Sequence, residues 1–394
     1  MRIMVVLSRV PWPLEKGDKL RAYYLMKELA QKHEIMLFCL ADKKVHPMAE
    51  QKLKEFCSEI YIYRLSIWGR LWRMFLGLFK RSPFQVNYFY SKHAQKAFDS
   101  FLEEHLPQHI FCQLLRTSEF VRKYTTLPKS MDYMDALGAG MLKMANASKW
   151  PVSWFMRTEY ERLMQYEQEI ESLFQSHYII SEQDKAQMST SQEMKVIPNG
   201  VGLNFFDAKQ QSKTIDILFS GNMSYRPNVE SARYLVKEVM PLVWKTEPNT
   251  NVTIAGATPN ATVLGLKSEK VTITGWVDDI SAIFQQSRLF VAPMLINSGM
   301  QNKILEAMAS KVPVITTSLA NNAIGASKND AILLGDTTEE IAQHIIQLLH
   351  NSNECERLSQ AGYDFVKKAY SWKGAAEMLQ ADIEQCELKP EPSA

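Results

Sequence analysis

Short apolar runs rich in valine and isoleucine alternate with longer amphipathic segments along this chain, and they do so in two successive series. Runs of that length, bounded by turn residues, describe strands buried on both faces, the pattern of parallel sheets covered by helices. The first series places strands at Ile3 to Leu7, Ile35 to Leu40, Ile60 to Leu65, Ile110 to Leu115, Met131 to Met134 and Tyr178 to Ser181, with helical patterns such as Lys19 to Gln31 and Met48 to Cys57 between them. The second follows V-I-P-N-G-V, with strands at Ile215 to Ser220, Val252 to Gly256, Val271 to Thr274, Leu289 to Pro293, Val314 to Thr316 and Ile332 to Leu334. Helices are expected there at Val229 to Trp244, Ile280 to Gln286, Asn302 to Ala309 and Glu339 to His350. The expected fold is α/β, with doubly wound domains over residues 1–200 and 201–370 and a terminal segment, 371–394. The helical pattern Ser371 to Glu384 can pack on the second domain or cross back to the first. Ligands of doubly wound sheets bind beyond the strand C-termini, so two such domains facing one another would enclose a cleft.

A chain of 394 residues suits two domains. Hydrophobic content of 46% with 22% charged residues describes an ordered globular protein, leaving only the tail E-L-K-P-E-P-S-A as a disordered segment. A net charge of +2 argues against a dedicated nucleic-acid binder, which is normally far more basic. The five cysteines lack paired spacing and are odd in number, so reduced thiols in a cytosolic protein are expected. The start M-R-I-M-V-V-L-S meets Pro11, Glu15, Lys16 and Asp18 too soon for a signal peptide, and no later run is long enough to span a bilayer.

The segment 288–316 reads as strand, small polar loop, helix and strand, and puts Ser298, Gly299, Met300 and Lys303 at a helix N-terminus with Glu306 one turn on. Free N–H groups and the positive end of the helix dipole favour a phosphate there, and the nearby carboxylate can accept sugar hydroxyls. An exposed helix start with an i,i+3 Lys–Glu pair has the same spacing. A second phosphate candidate is F-S-G-N-M-S-Y-R-P-N, residues 219–228, where a strand ends at Gly221 and Pro227 suits the first helical position. Arg226 beside it either meets an anion bidentately or is a solvated charge. No Asp-x-Asp site or His/Cys cluster has metal-ligand spacing, and Asp278 with Asp279 reads as a helix cap.

The segments P-x-x-x-x-G-D-K-x-R (13–21), V-I-P-N-G-V (196–201), S-G-N-M-x-x-x-P-N (220–228), G-W-V-D-D (275–279) and N-K-I-L-E-A-M-A-x-x-x-P-V (302–314) resemble those of family 4 glycosyltransferases, in order over nearly the whole chain. The likeness is greatest to a bacterial subgroup of exopolysaccharide and surface-glycan assembly. The resemblance implies a GT-B fold of two Rossmann-like domains, with a nucleotide-sugar donor held mainly by the second and the acceptor by the first. It also implies retained anomeric configuration, no bound metal and no other cofactor.

Carried over by position, Glu306 matches the second glutamate of the family's E-x7-E motif, which binds the nucleotide ribose. The first glutamate would fall at Ser298, a departure that implies altered donor contact. A second departure is Asn222, where many members have a diphosphate-gripping arginine; Lys303, with Arg226, is the expected substitute. Gly17 matches the glycine loop that approaches the donor phosphates; Asp18 and Arg21 sit beside it and either serve that loop or form a helix cap with a solvated turn. Gly275, Trp276 and Val277 are placed beside the base, with Trp276 also suited to filling the domain surface. Arg116 and Asp135, each following a strand of the first domain, are expected at the reacting centre, Asp135 near where many relatives carry a histidine.

Residues 67–81, I-W-G-R-L-W-R-M-F-L-G-L-F-K-R, are unexpected in a plain soluble enzyme. As a helix they gather Trp68, Leu71, Trp72, Phe75, Leu78 and Phe79 on one face, with Arg70, Arg73, Gly77, Lys80 and Arg81 largely opposite. That pattern matches an interfacial helix on anionic lipid, the alternative being a core-packing helix with a basic outer face. The expected protein is a cytoplasmic glycosyltransferase attached to the inner face of the membrane, using a nucleoside diphosphate sugar and a lipid-linked or glycan acceptor. A GT-B-type nucleotide-sugar epimerase and a catalytically silent binding subunit are the alternatives.

Overall fold

The computed structural model describes residues 1–189, 193–207, 211–296 and 300–387. The chain divides into two compact units, Met1–Pro198 joined by the segment from Trp372 onward, and Asn199–Ser371.

Among the described residues the first unit is built on seven strands: β1 Arg2–Leu7, β2 Glu34–Ala41, β3 Glu59–Arg64, β4 His109–Gln113, β5 Lys129–Met134, β6 Ser176–Ile179 and β7 Met194–Val196. All neighbours are parallel, in the order β3-β2-β1-β4-β5-β6-β7. Among the described residues the second unit has six: β8 Ile215–Ser220, β9 Val252–Ala255, β10 Val271–Gly275, β11 Ser287–Ala292, β12 Val314–Thr316 and β13 Leu333–Leu334, again all parallel, in the order β10-β9-β8-β11-β12-β13. The two orders correspond over six strands, and the first sheet adds β7 at its edge. In each sheet the winding reverses once, between β1 and β4 and between β8 and β11, and beyond the strand ends at such a reversal a crevice opens for ligands.

Nearly every β1, β2 and β4 residue is buried, which is why these strands read as continuous apolar runs. The three-residue edge strand β7 carries an exposed Lys195 and left no pattern to read. The long helix Val152–Glu171 was equally hidden, because its buried side includes Glu159, Glu167 and Glu171 and so breaks the apolar stripe. The C-terminal helix, Trp372–Glu387, packs on the first unit: Trp372 stacks on Tyr24 at 5.1 Å and Asp382 accepts from the Tyr178 hydroxyl at 2.7 Å.

Arg21 is not a solvated turn residue. It is 1% exposed within the helix Gly17–Leu29, where its Nε donates to Asp132 Oδ2 at 2.6 Å and its Nη1 to the Ile197 carbonyl at 2.9 Å. The guanidinium thus ties that helix to β5 and to the chain leaving β7.

Candidate functional site

In the second unit, the loops after β8 and β9 pass so closely that a Cβ added at Gly256 would lie 1.8 Å from the Gly221 carbonyl oxygen. Only glycine fits there. The approach shapes the crevice at the β8/β11 reversal. Asn222, the first residue past Gly221, is exposed, but its side-chain oxygen is engaged within the loops. Its Oδ1 accepts from Ser224 N at 3.0 Å and from Thr258 Oγ1 at 2.9 Å, and so fastens the two loops together.

Asn228, in the first turn of the helix Arg226–Tyr234, donates from Nδ2 to the Asn222 carbonyl at 3.0 Å. Its Oδ1 accepts from the Lys303 ammonium. Lys303, near the start of the helix Asn302–Ala309, also lies 4.9 Å from the Phe219 ring centroid and 3.7 Å from Met294 Sδ. It is therefore steered by residues from both sides of the strand reversal, a cation–π contact included. Lys303 and Glu306 are not an exposed surface pair, since both are partly buried and walled by protein. Desolvation pushes the Lys303 ammonium down to about 7, opposed by Glu306, and pushes the Glu306 carboxyl up to about 7, opposed by Lys303. Glu306 has no hydrogen-bond partner among the described residues.

Arg226 stands exposed at the start of its helix, with Pro227 in the first turn. Met300 packs partly buried against the core of this unit. Ser298 and Gly299 lie outside the described residues. Trp276 does not fill the domain surface: it is 65% exposed, held by a hydrogen bond from Nε1 to Asp278 Oδ1 at 3.2 Å. Asp279 caps the helix Ile280–Gln285, accepting from Ser281 N and Ala282 N. A cation at a helix start, a carboxyl group one turn on and an exposed indole are groups suited to a diphosphate, sugar hydroxyls and a planar base.

In the first unit, Arg9 follows β1 and Arg116 follows β4, so both sit at the other strand reversal. Arg9 pairs with Asp18 at 2.7 Å. Arg116 donates from Nε to Gln85 Oε1 at 2.9 Å and lies 5.4 Å from the Phe89 ring centroid. Burial, then the charge of Arg9, pushes its guanidinium down to about 10 against the pull of Asp18, Asp135 and Asp42. Asp135 follows β5 and is exposed to solvent, yet enough protein lies around it that desolvation, with the Asp184 carboxylate, pushes its acid up to about 6. Gly17 is exposed at the head of its helix, where an added Cβ would meet nothing within 4 Å, so its backbone is open to approach.

The aromatic segment forms the helix Ile67–Gly77, and its basic side is turned inward. Arg73 donates from Nε to the Asn87 carbonyl and from Nη2 to the Tyr88 carbonyl, both at 3.2 Å, while Arg70 bonds the Tyr88 hydroxyl. Arg162 donates to the Gly77 carbonyl at 2.7 Å. Both the all-basic outer face and the core-packing reading are thus corrected. The outward side carries Trp68 at 81% and Trp72 at 61% exposure, with Leu71 and Phe75 also exposed; Phe79, at 78%, and then Lys80 and Arg81 follow the helix in solvent. No helix among the described residues is long and apolar enough to cross a membrane.

Arg9, Gln85, Asn228 and Asp42 were missed in the sequence. Arg9 had one usable signal, a cation directly after a buried strand, and Asn228 stood in the quoted P-N dipeptide without a role.

Residues 214–351 match the family model described as glycosyl transferases group 1. A curated relative from Klebsiella pneumoniae, an uncharacterized 44.6 kDa protein in the cps region, is 22% identical over 94% of this chain and 97% of its own. Among solved structures, sucrose-phosphate synthase from Thermosynechococcus elongatus superposes with a TM-score of 0.69 at 15% identity, covering 98% of this chain and 99% of that one. HepE of Anabaena, in complex with UDP and glucose, gives 0.67 at 11% identity over 97% and 99%. S. aureus TarM, in complex with UDP and alpha-GlcNAc-glycerol among other ligands, gives 0.67 at 10% identity over 97% and 100%. The two corresponding parallel sheets are those of the GT-B fold, and with a group 1 match over most of its second unit the protein is a GT-B glycosyltransferase.

Proposed function

We propose that this enzyme moves a sugar from a nucleoside diphosphate sugar, held by the 199–371 unit, to an acceptor hydroxyl during assembly of a bacterial surface glycan. The observation that carries the reading is the desolvated Lys303 ammonium, fixed by Asn228 at the β8/β11 reversal and beside a helix N-terminus. Negative charge grows on the departing diphosphate in the transition state, and a preorganised cation and N–H groups stabilise it most where water is excluded. Glu306 would take the ribose hydroxyls and Trp276 would lie beside the base. Arg226, exposed at the start of its helix, would add to the phosphate contacts.

UDP in HepE and in S. aureus TarM supports a nucleoside diphosphate donor, and the glycosylated glycerol in TarM supports a hydroxyl acceptor. The cps-region relative supports the surface-glycan role. In this reading configuration is retained, no resident metal takes part, and Asp135 and Arg116 address the acceptor. Lipid attachment is proposed through the helix Ile67–Gly77, whose bare aromatic side is followed by the solvent-facing Lys80 and Arg81, a combination that suits an anionic bilayer surface.

A panel of nucleotide sugars screened by thermal shift tests the donor, because a ligand of the folded state raises its melting temperature. One base and sugar combination should give a saturable rise; a panel without any shift contradicts the reading.

A further inference from the structure

A cavity of about 310 Å³ opens in the first unit at the β1/β4 reversal. Arg9, Arg116 and Asp42 stand at its polar end, and Met74, Phe84, Phe89, Phe155 and Met156 form apolar walls. That is enough room for a small ligand group and part of a hydrocarbon chain.

The charges at this cavity are not equally available. Both Glu159 oxygens are already committed, accepting from the backbone N–H groups of Phe84 at 2.7 Å and Gln85 at 3.0 Å at the start of the helix Phe84–Phe89. Asp42 accepts a long bond from the Tyr88 hydroxyl at 3.4 Å. Arg116, by contrast, is clamped through Nε by Gln85, while its Nη1 is sealed from water with no partner among the described residues. A buried guanidinium donor without an acceptor is costly, and an arriving oxyanion removes that cost with the planar two-donor geometry that arginine offers a phosphate. A second cavity of about 510 Å³ shares Arg9 and Asp42 and is lined by Lys16, Lys19, Lys43 and Lys44, so the surroundings are cationic.

The apolar walls lead to the aromatic helix. Met74 belongs to Ile67–Gly77, whose inner side lines the cavity and whose outer side is bare.

We infer that this cavity binds a phosphate-bearing amphiphile, its phosphate on Arg116 and Arg9 and the first part of its hydrocarbon against Met74, Phe84, Phe89 and Phe155. The inference rests on the transferase reading only in making this amphiphile the anchor of the acceptor. Gln85 is a positioning residue that holds the Arg116 fork toward the cavity.

Titration of the full-length protein with farnesyl phosphate below its micellar concentration, followed by calorimetry, tests the site against farnesol and inorganic phosphate. Farnesyl phosphate should bind at one site, at least tenfold tighter than either control. Arg116→Gln should reduce its affinity at least tenfold, toward that of farnesol. Phe155→Ser should weaken farnesyl phosphate while leaving inorganic phosphate unchanged, and keeps the test decisive if Arg116→Gln folds poorly. The inference is overturned by absent farnesyl phosphate binding, by equal affinity for inorganic phosphate, or by a folded Arg116→Gln that binds as the parent does. Nucleotide-sugar thermal shifts on the same samples separate the two readings: a shift without farnesyl phosphate binding removes this inference alone, and the reverse removes the donor assignment alone.

Discussion

The Lys303 ammonium is hydrogen-bonded to the Asn228 amide oxygen and not to Glu306, although Glu306 lies one turn away on the same helix. Asn228 is in turn tied to the Asn222 carbonyl, so the cation is fixed by the loop that closes the β8 end. Lys303→Ala should weaken nucleoside diphosphate binding by about 1.5–3 kcal/mol, the range for a hydrogen bond to a charged group. Calorimetric affinity equal to that of the parent would remove Lys303 from the phosphate site.

Nucleotide-sugar binding should take up protons above neutrality. Burial lowers the Lys303 ammonium to about 7, and a diphosphate diester beside it raises that value again. Below about pH 7 the free lysine is already protonated and binding needs no proton; above it, each binding event must supply one, so affinity falls as pH rises. Glu306→Gln removes the carboxylate that opposes the lowering, so the fall should begin at lower pH. Calorimetry at pH 8 in buffers of different ionisation enthalpy reads the uptake directly, and buffer-independent heats would contradict it.

The Arg21–Asp132 pair holds the first unit together. Arg21→Ala leaves the Asp132 carboxylate buried without its partner, and breaking such a pair costs about 3–5 kcal/mol. Denaturant unfolding should show a loss of that size; a change under about 0.5 kcal/mol would mean the pair is unimportant.

Replacing Trp72 and Phe75 with serine should lower sedimentation with anionic vesicles at least tenfold, since burying each side chain in lipid is worth about 1.5–3 kcal/mol. The melting temperature should hold, because both side chains are exposed. Undiminished sedimentation would release the aromatic helix from the membrane role.

Local patterns were legible where burial was continuous. Strands such as β1, β2 and β8 declared themselves, and the Lys303–Glu306 helix start was visible from its loop. Strand order was not, and strand order brings Arg9 beside Arg116 and Asn228 beside Lys303. Buried charge misled in the same way: Arg21 read as a turn residue because its partner, Asp132, lies more than a hundred positions away. The periodicity of residues 67–81 gave the amphipathic helix but not its facing, which is set by the Asn87 and Tyr88 carbonyls that accept from Arg73.

The most direct measurement is release of nucleoside diphosphate from the donor identified by thermal shift, followed with a chloroform-soluble membrane extract as acceptor source. Extract-dependent release with incorporation of the labelled sugar, reduced at least tenfold by Lys303→Ala, is the predicted result. Donor binding without release or incorporation, or an epimerised free sugar nucleotide as product, would contradict the account.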